Sequence, residues 1–157
     1  MPNLFGTHSC TADEKGRVMM PVEFLTQLGS SAKKKFRIKE GIFHKALEMF
    51  TEESWKEYSK DTHEADSFTK KGLDFKIMFT NGVREIKLDS VNRFNIPIEL
   101  FEYAGIKKDV IMTAIHDRIF IWDKKTYEKY ISDMRPKMES VAEEVMGEVR
   151  RRKGNGK

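Results

Sequence analysis

Cysteine is almost absent from this sequence. The single residue, Cys10, cannot make an internal disulfide, which excludes the disulfide-stapled secreted scaffolds. No apolar run approaches the roughly 20 residues that a membrane-spanning helix needs. The opening Met1-Pro2-Asn3-Leu4-Phe5 lacks the basic and apolar regions of a signal peptide. Together these absences favour a cytoplasmic protein with no membrane partner. Chemistry-bearing motifs are missing as well. There is no Gly-x-Gly-x-x-Gly loop and no Walker loop. His44, His63 and His116 stand apart, and no His-x-x-x-His or Cys-x-x-Cys spacing occurs. His8 and Cys10 share one strand face, but two ligands without a second pair describe an ordinary strand better than a metal site. Nothing calls for a cofactor, and the chain reads as a non-enzyme.

Strong overall charge is lacking too. Across 157 residues the net charge is +4, with 39% hydrophobic and 34% charged residues, enough apolar material for a folded core. Residues 135–157 hold seven Lys/Arg and four Asp/Glu, so this tail carries +3 and residues 1–134 only about +1. Any nucleic-acid surface must then be a local patch rather than a broadly basic face.

What the sequence does have is an internal repeat. Asp13-Glu14-Lys15-Gly16-Arg17-Val18-Met19-Met20-Pro21-Val22-Glu23-Phe24 recurs as Asp89-Ser90-Val91-Asn92-Arg93-Phe94-Asn95-Ile96-Pro97-Ile98-Glu99-Leu100, at a constant offset of 76 (13 to 89, 17 to 93, 21 to 97). Gly29 and Gly105 keep that offset. Leu47–Phe50 then resembles Ile119–Trp122 at an offset of 72 (47 to 119, 50 to 122), so the first copy holds about four extra residues near Gly41–His44.

Each copy reads as β-β-α-β-β followed by a helix. A first strand ends at Ala12 or Leu88. A four-residue loop follows, and its last position is Gly16 or Asn92, the residue types that most readily take positive φ. Arg17 or Arg93 opens the second strand of a hairpin. Pro21 and Pro97 suit the first turn of a short helix, which Gly29 or Gly105 ends. Val110–Ile115 turns at His116-Asp117-Arg118 into Ile119–Trp122, a second hairpin. Thr51 and Asp123 are expected to cap the helices that follow. The apolar spacing over Glu64–Thr80 predicts a connecting helix. Pro136 could open another, with Arg150–Lys157 expected to be disordered. The organisation is thus 1–62, first half; 63–82, connecting helix; 83–134, second half; 135–157, C-terminal helix and basic tail.

The doubled Asp-x-x-x-Arg motif, the Pro four residues after each Arg, Tyr103-Ala104-Gly105 and the Phe120-Ile121-Trp122 strand resemble, in that order, the MraZ family. The resemblance covers roughly residues 3–134. It implies an α+β fold of two tandem AbrB-like swapped-hairpin units forming an intrachain pseudo-dimer, and ring-shaped homo-oligomers. It also implies a nucleoid-associated regulator of the bacterial division and cell-wall gene cluster, acting through tandem repeats in promoter DNA. The first motif keeps the family's Lys-Gly-Arg ending and the second does not. The short helices, Val22-Glu23-Phe24-Leu25 and Ile98-Glu99-Leu100-Phe101, lack the basic residues that members often carry there. The second copy is therefore expected to be the weaker reader.

The motif suits double-stranded DNA for a physical reason. A loop between paired strands projects its side chains outward, and Arg makes bidentate bonds to guanine O6 and N7 or to phosphate. Arg17 and Arg93 are the candidate readers, and Lys15 supplies a point charge for a phosphate. Asp13 and Asp89, with Gly16 and Asn92, would orient the loops. One motif alone reads better as a surface ion pair; two at one offset, inside the family resemblance, reverse that. Several loops on a ring would hold tandem repeats by effective concentration. The alternative is a ring-forming assembly module that does not read DNA. Trp55, Tyr58, Trp122, Tyr127 and Tyr130 read as core or interface aromatics rather than base-stacking platforms. Lys33-Lys34-Lys35 reads as a solvated loop, and Arg150–Lys153 could add nonspecific attraction to DNA.

Overall fold

The structure, a computed structural model, describes residues 3–156. The described residues fall into two compact units that divide between Lys124 and Lys125. The first unit holds both repeat copies. In copy one, β1 (Leu4–Thr11), β2 (Arg17–Met19), α1 (Val22–Leu28), β3 (Phe36–Glu40) and β4 (Leu47–Thr51) lead into α2 (Glu52–Ser59). After α3 (Lys70–Thr80), copy two repeats the order with β5 (Arg84–Ile86), β6 (Arg93–Asn95), α4 (Ile98–Tyr103), β7 (Asp109–His116) and β8 (Arg118–Asp123), which runs into α5 (Lys124–Met134). The second unit comprises the rest of α5, a 3₁₀ turn at Arg135–Lys137 and α6 (Met138–Asn155). Among the described residues no helix is long and apolar enough to cross a membrane.

The punctuation residues act largely as expected. Thr51 caps α2, its Oγ1 accepting from the Ser54 N–H at 3.0 Å. Pro21 and Pro97 stand one position before the first helical turn, at φ −55° and −53°, and their carbonyls accept the first bonds of α1 and α4. Two expectations are corrected. The connecting helix begins at Lys70, not at Glu64, because Thr69 Oγ1 accepts from the Gly72 N–H at 3.0 Å and caps it there. The chain before it folds back so closely that a Cβ on Gly72 would lie 1.8 Å from the Asp66 carbonyl oxygen, so this position admits only glycine. The second correction is in the tail. Arg150–Asn155 continue α6 instead of being disordered, as suits Arg and Lys beside a helix C-terminus; Lys157 lies outside the described residues.

Pairing across the two copies organises the first unit. One six-stranded antiparallel sheet has the order β1-β7-β8-β4-β3-β5, and β2 pairs with β6 in a separate ribbon. Exchanging the copies turns each list into itself, so the first unit has an internal pseudo-two-fold axis. The registers locate it. In the sheet, Glu48 pairs with Phe120, its repeat equivalent. In the ribbon, Val18 pairs with its equivalent Phe94. The expectation of a loop between two strands paired with each other therefore fails in detail. The first strand of each copy pairs with the other copy's third strand, and β2 pairs with β6. The swap buries Val18 and Phe94 together, at 0% and 1% exposure, where a lone three-residue strand would leave each without a partner.

One hydrophobic core joins these residues to Phe24, Phe36, Ile38, Leu100, Met112 and Ile121. A charged cluster is buried at the axis. Glu48, 4% exposed, accepts from Arg118 Nη1 at 2.7 Å and lies 3.8 Å from Lys39 Nζ. Lys39 also donates to the Glu40 carbonyl at 2.6 Å, and the Arg118 guanidinium lies 4.0 Å from the Tyr58 ring centre.

Candidate nucleic-acid interface

The two Asp-x-x-x-Arg loops lie far apart in sequence, and the β2–β6 ribbon brings them together. Each loop closes on itself. Gly16 N donates to the Asp13 carbonyl at 3.0 Å and Asp13 N to the Arg17 carbonyl at 3.0 Å; Asn92 and Asp89 repeat this at 3.0 and 2.8 Å. Gly16 and Asn92 take φ of 79° and 64°, the left-handed turn read from their residue types. Each loop is also tied to the opposite copy, because Ile96 N donates to the Gly16 carbonyl and Met20 N to the Asn92 carbonyl.

The aspartates organise the loops rather than project from them. Asp13 Oδ1 accepts from the backbone N–H of Lys15 and of Arg17, both at 2.9 Å, and Oδ2 accepts from Arg17 Nε at 2.7 Å. Asp89 does the same with Val91 N, Arg93 N and Arg93 Nε at 3.0, 2.9 and 2.9 Å. The backbone N–H of Arg17, opposed by desolvation and helped by the Arg17 side chain, holds the Asp13 carboxyl below its ordinary pKa; Arg93 does this for Asp89. A carboxylate that orients a guanidinium through Nε leaves the other edge of the fork outward. Among the described residues, neither Arg17 nor Arg93 uses its Nη groups in a hydrogen bond, and both side chains are about one-third exposed.

Strand alternation completes the face. Val18 and Phe94 point inward, so Arg17, Met19, Arg93 and Asn95 share the outward side. Arg17 stands opposite Asn95, and Arg93 opposite Met19. Lys15 is exposed on its loop. Other readings have plainer outcomes. Lys35 pairs with Glu85 at 3.5 Å. Cys10 Sγ lies 3.7 Å from Met112 Sδ, and burial pushes its thiol up to about 11. Among the described residues no three His, Cys, Asp or Glu side chains converge on one point. Trp55 and Tyr58 pack with Phe50 and Phe79 in an aromatic cluster, not on the ribbon face.

Two stretches, one per copy, match the family described as "MraZ protein, putative antitoxin-like": residues 4–76 and 78–147. The chain belongs to the MraZ family. It is 38% identical over 149 residues to the protein named "Transcriptional regulator MraZ" of Flavobacterium psychrophilum, covering 95% of each chain. A protein of the same name from Christiangramia forsetii is 37% identical over 147 residues, covering 94% of this chain and 95% of that one. One from Mesoplasma florum is 30% identical over 141 residues, covering 90% and 94%. The two family matches and the swapped strands agree on one fold: two tandem AbrB-like units forming a pseudo-dimer within one MraZ chain, with added helices. Motif reading missed Asn95 and Met19. Both are one strand position away from the axis, and only the cross-copy register sets them beside the two arginines.

Proposed function

We propose that this chain is a sequence-specific DNA-binding transcriptional regulator, acting on the nucleoid rather than catalysing a reaction. One observation carries the reading. Two arginines, each clamped at Nε by an aspartate, present free guanidinium edges from a single exposed two-stranded ribbon. The major groove admits such a ribbon, and guanine O6 and N7 accept both donors of one Arg fork. Arg17 and Arg93 read bases, Lys15 meets a phosphate, and Asp13, Gly16, Asp89 and Asn92 hold the loops. The names of its relatives support the regulatory role. Resemblance to the family supplies the finer reading: control of the bacterial division and cell-wall genes through tandem promoter repeats bound by a ring of identical chains. Exposed Phe5 on the edge strand β1, paired with exposed Ile115 on β7, and exposed Phe43 and Phe68 offer apolar surface for contacts between copies.

A second reading, assembly without DNA, draws on α1 and α4. Their outward residues beside the ribbon are Val22, Glu23, Ile98 and Glu99, with no cation among them. A fluorescence titration of the protein against the DNA upstream of its own gene separates the two. The expected result is saturable binding that competitor DNA of unrelated sequence does not displace, with specificity lost in Arg17→Ala while the circular dichroism spectrum is unchanged. Equal affinity for unrelated DNA, or an Arg17→Ala variant that binds as wild type, rejects the base-reading role and leaves the assembly module.

A further inference from the structure

The two ends of the ribbon differ in chemistry at four equivalent positions, Glu14/Ser90, Lys15/Val91, Gly16/Asn92 and Met19/Asn95, and the last of these stands directly beside the arginines. At one end Arg17 faces Asn95, with Lys15 on the adjoining loop. At the other Arg93 faces Met19, with Val91 in the place of Lys15. Asn95 is exposed, and its side chain hydrogen-bonds to no described residue; its Oδ1 lies 3.5 Å from where a Cβ on Gly16 would stand. Glu14, Lys15, Gly16, Asn95 and Phe101 are among the residues lining a concavity of about 430 Å³ at this end. Met19 and Val91 are 55% and 51% exposed and offer only apolar surface. One end is therefore built to hydrogen-bond beside its arginine, and the other to make apolar contact beside its own.

We propose that the pseudo-symmetric ribbon reads a non-palindromic DNA site, with Asn95 and Met19 as the residues that set the difference. The Arg17 end takes a guanine next to an adenine, whose N6 donates to the Asn95 Oδ1 and whose N7 accepts from the Asn95 Nδ2. The Arg93 end takes a guanine next to a thymine, whose 5-methyl group packs on Met19 and Val91. The inference rests on the DNA-reading function proposed above and adds to it which bases flank the two guanines.

The test uses the full-length protein and duplexes carrying the site located by single-base-pair substitution in its own upstream DNA. Replacing the adenine by 7-deazaadenine is expected to weaken wild-type binding by about 5- to 100-fold. Replacing the thymine by uracil, which removes only the methyl group, is expected to weaken it by about fourfold. Asn95→Met should abolish the first sensitivity and spare the second. Met19→Asn should do the reverse and favour adenine at the second end. Both residues are surface-exposed, and the base-analogue results on wild type stand even if a variant misfolds. A palindromic preferred site, or analogue effects equal at both ends, overturns the asymmetry while DNA reading stands. Absence of sequence-specific binding overturns both.

Discussion

Under the proposed function, Lys15 and its counterpart Val91 are expected to set the two loops apart. Both loops have the same backbone closure and the same aspartate clamp, so a difference in DNA affinity must come from what projects outward. Lys15 can neutralise a phosphate and Val91 cannot. Each phosphate contact contributes a slope of about −0.9 to log K against log salt. Lys15→Ala is therefore expected to flatten that slope by about one, and Val91→Ala to leave it unchanged, in titrations at several salt concentrations. Arg93→Ala should weaken binding less than Arg17→Ala, whose lost base contact costs about 1–3 kcal/mol per loop. Equal losses in two variants of equal melting temperature would show that the loops are equivalent readers. The aspartates add a pH dependence. Their folded pKa values lie below the ordinary carboxylate value, so the loop order they provide is complete above that value. It is lost as pH falls through the lowered ones. Carboxyl carbon shifts in an NMR titration should place the Asp13 and Asp89 midpoints below 3.8, and midpoints at or above it would contradict the clamp.

At the scale of elements, the sheet closes around a buried charge. β4 and β8 meet at the axis, and there Glu48 stands opposite Phe120 instead of a second apolar residue. Its carboxylate answers both Lys39, from β3, and Arg118, from β8. Burial presses the Lys39 amine below its ordinary pKa, while Glu48 opposes that shift. Removing the anion leaves Lys39 buried with only the Glu40 carbonyl, while Arg118 keeps its two bonds to Asp117 at 2.9 Å, and breaking a buried pair in this way costs about 3–5 kcal/mol. Glu48→Ala is expected to lower stability by that amount in urea unfolding, with Glu48→Gln intermediate because it keeps an acceptor. A loss under about 1 kcal/mol would mean that water reaches the cluster. The connecting helix α3 is tied in locally by the Thr69 cap and the close approach at Gly72. Its Phe79 stacks on Trp55 of α2, at 5.6 Å between ring centres.

For the molecule as a whole, the exchange of strands makes the two halves interdependent. β1 has its neighbour in the second half, β5 has its neighbour in the first, and the ribbon takes one strand from each. A fragment of residues 1–62 would leave Val18 without Phe94 and β1 without the strand it hydrogen-bonds to, so it is not expected to fold as a monomer. It should be disordered by circular dichroism, or recover structure only as a homodimer that repeats the pseudo-two-fold pairing. A folded monomeric fragment on size exclusion would mean that the pairing is not needed for stability. The intact chain is expected to exceed a dimer at micromolar concentration by light scattering. A mass of 18.4 kDa at every concentration would remove the multivalent mechanism.

The order β-β-α-β-β, the positive-φ positions at Gly16 and Asn92, the Thr51 cap and the paired Asp-x-x-x-Arg loops were legible from residue types and one constant offset. Each is a local property, set within a few positions by φ preference, capping or turn chemistry. The partner of each strand was not legible in those terms. A three-residue strand such as Arg17–Met19 carries too little pattern to choose between its own neighbour and an equivalent strand 76 positions away. Family resemblance anticipated the exchange, but the register came only from burying Val18 with Phe94 in a common core. That register decides which side chains stand beside the arginines. Residue types alone specify two loops of one design, whereas packing of the folded chain puts them on one ribbon, with Asn95 at one end and Met19 at the other. The reason is that a repeat specifies its own turns, whereas the partner of a short strand depends on what the whole chain can bury.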